Sequence, residues 1–259
     1  MKSPSFDTSV PNVARIYDYL LGGKDNYAAD RKKAEELRKL FPGIEWACRE
    51  NRDFLQRVVR FLAGECGIRQ FIDIGTGLPT MGNVHEVAQG VRPESRVVYV
   101  DYDRVVIRHA EALLLRNDHV AVIQSDLRTP REMITHPSMS KLIDFNQPVA
   151  ILAIAVLHFI TDAEQPHEIV GLLKARMAPG SYLAISHATQ DFVSAEEETH
   201  GMMLYKDASA PVAPRRYAEV LKFFDGTELL SPGVVSISQW RTKRRQPKKP
   251  LIYGGVGRK

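Results

Sequence analysis

The chain contains 259 residues, of which 44% are hydrophobic and 25% are charged, and its formal net charge is +4. These values are ordinary for a soluble globular chain that forms one large domain or two small ones. The positive charge is too mild to indicate a nucleic-acid partner, so we expect none.

The cysteines and the apolar runs exclude further classes of protein. Cys48 and Cys66 have no metal-ligand spacing, which predicts reduced thiols in a cytoplasmic protein. The N-terminal stretch MKSPSFDTSVPN lacks the apolar segment of a secretory signal. The longest apolar run, residues 149–157, is too short to span a bilayer, so we expect no membrane partner.

Helical patterns fill the first quarter of the chain. The predicted helices occupy residues 11–21, 28–40 and 45–63. Ser9 is the candidate N-cap of the first helix, and the Gly22-Gly23 pair ends it. We expect residues 1–66 to form a helical cap packed on a core of residues 67–259, all within a single domain.

A glycine turn follows the cap. Residues 69–89 combine, in order, a buried strand at 70–74, a turn at Gly75-Thr76-Gly77 and a helix that begins near residues 81–83. A strand, a glycine turn and a helix N-terminus together form a nucleotide-binding corner, because glycines let the backbone approach a ligand closely. Asp73, at the end of the strand, is expected to direct its carboxylate into the same crevice.

Two cofactor classes use such a corner. The dinucleotide fingerprint G-x-G-x-x-G fits Gly75 and Gly77, but Thr80 stands at the third glycine position. The acid-x-Gly-x-Gly pattern of S-adenosylmethionine-dependent methyltransferases resembles the stretch from Asp73 to Gly77. That cofactor has a sulfonium and an ammonium group and no pyrophosphate, so an acid suits it, whereas the same acid would repel phosphates. The pattern favours S-adenosylmethionine, with an ordinary tight turn as the alternative.

Strands and helices alternate after residue 69, which is typical of a parallel sheet. The strands are predicted at residues 70–74, 96–100, 120–124, 149–154 and 182–186, and later at 234–239 and 251–254. Helices fit between them, for example at 104–115 and 167–177. The basic stretch 241–249 is predicted to be a solvated hairpin tip.

Acidic residues follow two of these strands at the edge where ligands bind an open parallel sheet. Asp101 ends the second strand and can accept hydrogen bonds from ribose hydroxyls; Asp103 can do the same or cap the next helix. Asp126 and Leu127 follow the third strand and suit an adenine amine and ring, or begin a polar loop. Tyr102 is a candidate for stacking on adenine, or a surface aromatic.

The fourth strand ends in Ala155-Val156-Leu157-His158-Phe159, which we place at the same edge. His158 is a candidate general base there, or else a core histidine bonded to backbone.

Polar and aromatic residues of the N-terminal helices are also candidates. Tyr19, with Tyr17 and Tyr27, could close an aromatic lid over a cofactor or simply pack a helix face. Lys24 and Asn26, beside a glycine pair, could bond a ligand carboxylate or stabilise the turn. For Arg49, Asn51 and Arg52 we expect an exposed helix face, with the crevice as the alternative.

Taken together, these motifs resemble a bacterial S-adenosylmethionine-dependent methyltransferase family formerly catalogued as a domain of unknown function, and the resemblance covers nearly the whole chain. The stretches that carry it are ARIYDYLLGGKDNY (14–27), FIDIGTGLPT (71–80), NVHE (83–86), YVDYD (99–103), DLR (126–128), AVLHF (155–159) and PGSYL (179–183).

The resemblance implies a Rossmann-like class I methyltransferase fold of the α/β class: a seven-stranded, mostly parallel sheet with an antiparallel last strand. By analogy with that class, Gly75 and Gly77 line the methionine part of S-adenosyl-L-methionine, Asp101 the ribose, and Asp126 with Leu127 the adenine. The expected function is methyl transfer to a small-molecule acceptor, which the resemblance does not specify. The alternatives are a non-catalytic module that binds the same cofactor or its product, and an NAD(P)-dependent oxidoreductase.

Overall fold

The computed structural model describes residues 7–80, 82–114, 117–242 and 247–259. Its strands are β1 (Gln70–Ile74), β2 (Arg96–Asp101), β3 (Val120–Gln124), β4 (Ala150–Ile154), β5 (Tyr182–Ala188), β6 (Glu228–Leu229), β7 (Val235–Ser236) and β8 (Ile252–Arg258). Its helices are α1 (Val13–Leu21), α2 (Ala28–Leu40), α3 (Ile44–Gly64), α4 (Val84–Val91), α5 (Arg104–Leu114), α6 (Pro130–Thr135), α7 (Pro137–Leu142), α8 (Pro166–Arg176), α9 (Ala195–Tyr205) and α10 (Tyr217–Lys222).

The strands form one sheet in the order β3-β2-β1-β4-β5-β8-β6, and β7 also pairs with β8. Strands β1 to β5 run parallel to one another, whereas β8 runs antiparallel to β5. The predicted mostly parallel sheet with an antiparallel last strand is therefore confirmed. The sheet has eight strands in the described part of the chain, because the short β6, which was not predicted, adds to the predicted seven.

The late strand pair differs from its prediction in length. The strand predicted at 234–239 is reduced to β7, and a 3-10 turn, Ile237–Gln239, follows it. The chain leaves the sheet edge here to bury Trp240, whose ring packs edge-on against Phe54 and Phe61 with centroid distances of 5.6 and 5.8 Å. Strand β8, in contrast, continues beyond residue 254, because neighbouring side chains such as Phe224 fill the space beside its glycines.

Side chains alternate between the two faces of the sheet, as period-two strands require. Phe71 and Val97 pack with α3 and α4 on one face. Ile72 and Val98 pack with α6, α7, α8 and α10 on the other face. A further cluster, built on residues such as Leu37, joins α1, α2, the start of α3 and α9.

These clusters bear on the predicted cap. Helix α3 packs on the sheet and, through Cys48, also joins α1 and α2, which pack with α9. The division into a cap of residues 1–66 and a core of residues 67–259 stays a prediction.

Helix starts follow side-chain capping. Asn12, and not Ser9, caps α1: its Oδ1 accepts from the backbone N–H groups of Ala14 and Arg15 at 2.9 and 3.2 Å. Ser9 bonds Asp7 instead. The C-terminal end of α1 is at Gly22, as predicted, with φ of 89°.

Two predictions fall partly outside the described residues. Residue 81, one of the expected start positions of the helix after the glycine turn, is not described; α4 begins at Val84 with Asn83 as its cap. Residues 243–246 of the basic stretch are likewise outside, while Arg241 pairs with Glu65 at 3.1 Å. Within the described ranges, none of the helices has the length and hydropathy needed to cross a membrane.

Candidate cofactor-binding site

A cavity of about 250 Å³ lies at the carboxyl ends of β1 to β4. The strand tips form one side of it, α1, α2, α3 and α9 form another, and loop residues such as Val212 and Pro214 complete the lining. The predicted site residues that line it are Asp73, Gly75, Thr76, Gly77, Asp101, Tyr102, Asp126, Leu127, Ala155 and His158.

The glycine turn after β1 is held by backbone bonds to β2. The N–H of Gly75 donates to the carbonyl of Val100 at 2.8 Å, and the Thr76 hydroxyl donates to the carbonyl of Asp73 at 3.1 Å. Gly75 has φ of 69°, and a Cβ there would lie 2.4 Å from Val156, so only glycine fits. Gly77 has φ of 66° and open space beside it, which leaves room for a ligand.

Asp73 is a buried carboxylate that has no hydrogen-bond partner among the described residues. Its side chain is 5% exposed and forms no hydrogen bond with any described residue. Burial raises its pKa to about 7, with Arg52 opposing this rise and Asp101 adding to it. A buried charge without a partner is costly, so this carboxylate is suited to a cationic group of a ligand.

Among the described residues, two further polar atoms beside the cavity also have no hydrogen-bond partner. Arg52 Nε and Thr80 Oγ1 are buried without a hydrogen bond in the part of the chain that the structure describes. The hydrogen bond that Arg52 does form with a described residue is a long one, from Nη2 to the carbonyl of Gly82 at 3.4 Å. Buried donors of this kind normally have a partner, which indicates that a ligand supplies one here.

The prediction that Arg49, Asn51 and Arg52 form an exposed face of α3 is wrong for two of these three residues. Arg52 lines the cavity, Asn51 lines it and is 2% exposed, and only Arg49 faces solvent. Helical spacing in the sequence could have predicted this, because Asn51 and Arg52 share a face of α3 with the buried Leu55.

Asp101 is bonded on both oxygens by backbone. Its Oδ2 accepts from the N–H of Gly77 at 3.0 Å and its Oδ1 from that of Asp103 at 2.9 Å, while burial raises its pKa to about 6. Asp103 caps α5 through the N–H of Val105 at 2.7 Å and also accepts from Asn12. Each Asp101 oxygen keeps a lone pair for a ligand hydroxyl.

The tip of β3 presents a paired acid and a buried leucine. Asp126 accepts from the N–H of Arg128 at 2.9 Å and pairs with its guanidinium, which also reaches Glu164. Leu127 is 5% exposed, and Tyr102 lines the cavity with 39% of its surface exposed.

Ala155, after β4, adopts the left-handed conformation with φ of 55°. Its N–H donates to the Ser186 hydroxyl at 2.9 Å, and that hydroxyl donates to Asn51 Oδ1 at 2.6 Å. A side chain in this region of backbone space is strained, and strain of this kind collects at functional sites.

His158 lines the cavity as a neutral ring. Its Nδ1 accepts from the N–H of Ala188 at 3.2 Å, so the proton resides on Nε2. Burial, with a smaller effect of Arg215, lowers its pKa to about 3. The environment therefore holds the ring neutral and makes it a weak base.

Three predicted residues lie away from the cavity. The Tyr19 hydroxyl donates to Glu35 at 2.8 Å, Lys24 is exposed, and Asn26 Nδ2 donates to Asp18 at 2.9 Å. The face of α1 that carries Tyr17 lines the cavity instead, and Tyr19 lies off that face. The structure does not bring Tyr19, Lys24 or Asn26 to the predicted cofactor.

The sheet and helices resemble those of NodS, an N-methyltransferase from Bradyrhizobium japonicum WM9 solved with S-adenosyl-l-homocysteine, with a TM-score of 0.52, 14% identity, and coverage of 87% of this chain and 97% of that one. This similarity shows the fold alone. A search of the curated proteins finds no match.

Two solved structures are much more similar. A putative methyltransferase from Thermobifida fusca YX has a TM-score of 0.91 and 40% identity, with coverage of 98% of this chain and 96% of that one. A DUF574 family protein from Streptomyces avermitilis MA-4680 has a TM-score of 0.93 and 38% identity, with coverage of 98% and 99%.

The family model described as S-adenosyl methyltransferase matches residues 1–259. The chain therefore belongs to the S-adenosyl methyltransferase family, whose methyl donor is S-adenosylmethionine, and the family resemblance drawn from the motifs is confirmed. The comparisons give no support to a dinucleotide-dependent oxidoreductase.

Proposed function

We propose that this protein transfers a methyl group from S-adenosylmethionine to a small-molecule acceptor bound in the same cavity. The observation that carries the proposal is the pair of opposite charges without full partners: the Asp73 carboxylate and the Arg52 guanidinium, both lining the cavity. The methionine part of the cofactor is a zwitterion, so it complements this pair.

In this proposal Asp73 accepts from the ligand ammonium, and Arg52 Nε donates to the ligand carboxylate. Charge-assisted hydrogen bonds of this kind are about twice as strong as neutral ones. Thr80 Oγ1, buried without a partner within the described ranges, is available to the same carboxylate. The residues therefore fit the cofactor of the family.

The strand tips receive the nucleoside part in the same scheme. Asp101 accepts from the ribose hydroxyls while Gly77 holds it in place. Asp126 accepts from the adenine amine, and Leu127 covers the ring. Tyr102, which is partly exposed, stacks at the outer side of the adenine.

Bound S-adenosylmethionine supplies an electrophilic methyl group, whose bond to sulfur breaks as a bond to the acceptor's lone pair forms, leaving S-adenosylhomocysteine. The residues around it supply orientation and exclusion of water, which can lower such a barrier by roughly 7–11 kcal/mol. We assign His158 a hydrogen-bond donor role through Nε2 and not the role of general base, because its pKa of about 3 disfavours proton uptake.

An enzyme is favoured over a cofactor sensor by the room beyond the strand tips. The cavity continues between α1, α2 and α9, away from the acids that suit the cofactor. A site sealed around the cofactor would not need this space.

The test is a calorimetric titration with S-adenosylmethionine, S-adenosylhomocysteine and NAD, followed by incubation of the protein with S-adenosylmethionine and a metabolite library. We expect the two adenosyl ligands to bind, NAD not to bind, and a methylated product to form with S-adenosylhomocysteine. Binding of NAD alone would overturn the proposal. Tight binding of S-adenosylhomocysteine without any methylated product would favour the sensor.

A further inference from the structure

The part of the cavity between α1, α2 and the start of α3 has a wall of apolar side chains, which we call the apolar lobe. It is formed by Leu20, Leu21, Leu37, Phe41, Ile44 and Ala47. Leu20, Leu37 and Ala47 line the cavity although they are only 2%, 1% and 3% exposed, and the other three residues of the wall are half-buried.

The polar groups beside the apolar lobe are already bonded. The Tyr17 hydroxyl donates to the carbonyl of Cys48 and accepts from Asn51 Nδ2, both at 3.0 Å. Asp18 accepts from Asn26 at 2.9 Å. Burial raises the pKa of the Cys48 thiol to about 12, as expected in a medium that disfavours charge.

Charged lining residues lie elsewhere or have partners. Of the described lining residues, the cations Arg52 and Arg128 lie by the acids of the strand tips. Glu198 of α9 is half-buried and accepts a hydrogen bond from the Gln190 side-chain amide at 2.7 Å. A charged acceptor entering the apolar lobe would lose its hydration. Among the described residues, an anion would meet no cation there, and a cation would meet only Asp18 and Glu198, whose carboxylates already accept hydrogen bonds from amides.

One neutral donor is available at the α9 side. The Tyr205 hydroxyl forms no hydrogen bond with a described residue, and burial raises its pKa well above the ordinary value. Its ring continues an aromatic row, with centroid distances of 5.9 Å from Tyr205 to Phe159 and 4.4 Å from Phe159 to His158. Such a row suits a planar apolar partner.

We propose that the apolar lobe holds the methyl acceptor, that the acceptor is an uncharged and largely apolar ring compound, and that the Tyr205 hydroxyl bonds a polar atom of it. This inference rests on the proposed function, because the cofactor occupies the strand-tip side of the same cavity.

The test uses three probes of one ring size on protein saturated with S-adenosylhomocysteine: 2-naphthol, the anion 6-hydroxy-2-naphthoate, and the cation 6-(aminomethyl)-2-naphthol. By calorimetry, the neutral probe is expected to bind at least about tenfold more tightly than either charged probe. Equal or tighter binding of a charged probe, or no binding of 2-naphthol, overturns the proposal.

A glycine substitution locates the bound probe. In Gly201→Ala the new methyl group would lie 3.0 Å from Phe41 Cζ, so the Phe41 ring must shift within the apolar lobe. We expect binding of 2-naphthol to weaken by about fivefold or more, with S-adenosylhomocysteine affinity unchanged. Gly171→Ala is the matched control, since it adds a methyl group on another helix with no atom within 4 Å. An unchanged 2-naphthol affinity in Gly201→Ala overturns the proposed location.

The two proposals fail differently. Failure of S-adenosylhomocysteine to bind the wild-type protein overturns the proposed function and this inference with it. Binding of S-adenosylhomocysteine without preference for 2-naphthol overturns the acceptor class alone.

Discussion

The backbone N–H of Gly77 donates to the Asp101 carboxylate at 3.0 Å, joining the turn after β1 to the tip of β2. This bond fixes the carboxylate that we assign to the ribose next to the glycine that leaves room for the ligand. Asp101→Ala removes the acceptor for two hydroxyl groups.

We therefore expect Asp101→Ala to weaken S-adenosylhomocysteine binding by about tenfold or more in calorimetry. Asp101→Asn, which keeps one acceptor oxygen, should lie between that variant and the wild type. The control is Asp118→Ala, at an exposed position outside the cavity. Wild-type affinity in Asp101→Ala would show that the ribose lies elsewhere.

Asp73 makes stability depend on pH. Burial raises the pKa of Asp73 from 3.8 to about 7. Between these two pH values, the folded protein without ligand keeps a proton on Asp73 that the unfolded chain has released. Its contribution to stability is thus complete below pH 3.8 and is lost as the pH rises through about 7. Asn does not titrate, so the unfolding free energy of Asp73→Asn should fall by about 3 kcal/mol less than that of the wild type across this pH range. Urea denaturation at several pH values measures both. A slope identical to that of the wild type would contradict the unpaired carboxylate.

Ala155 tests the backbone strain beside the cavity. Since its φ of 55° suits glycine, Ala155→Gly should leave the unfolding free energy unchanged or raise it by up to about 1 kcal/mol. The control is Ala153→Gly on β4, an extended and buried position where the same change should destabilise by about 1 kcal/mol. Equal destabilisation by both substitutions in urea denaturation would argue against strain at residue 155.

His158 should stay neutral throughout the physiological range. With a pKa near 3 and Nδ1 accepting from Ala188, its ring nitrogens should give the spectrum of the Nε2–H tautomer without titrating between about pH 5 and 8. Nitrogen NMR of labelled protein measures this, and the signal missing from His158→Gln supplies the assignment. Titration of His158 near neutral pH would contradict this assignment and make the residue a candidate general base again.

The sequence predicted the sheet well because short apolar runs bounded by turn residues mark buried strands. β1 and β3 lie at the predicted boundaries, 70–74 and 120–124. The strand-tip rule then brought Asp73 and Asp101 to one cavity, since parallel strands end at one edge.

The helical side of the cavity was harder to predict. Tyr19 and Tyr17 have similar chemistry, and only the packing of α1 against α2 and α3 decides which of them lines the cavity. Arg52 looks like a solvated charge in sequence, and its partnerless Nε becomes visible only in three dimensions. The strand predicted at 234–239 was also too long, because the chain bends away to bury Trp240. The residue that Trp240 packs against, Phe54 of α3, is distant in sequence, so this contact was not visible there.

The central claim is that Asp73 and Arg52 hold the two charges of the ligand's amino-acid part. The most direct measurement compares S-adenosylhomocysteine with 5′-methylthioadenosine, which lacks that part, on Arg52→Gln and on the exposed control Arg108→Gln, whose native side chain is 83% exposed. We predict that Arg52→Gln weakens S-adenosylhomocysteine binding by about tenfold or more and leaves 5′-methylthioadenosine unchanged, while the control affects neither. Equal losses for both ligands in Arg52→Gln, or no loss for either, would contradict the account.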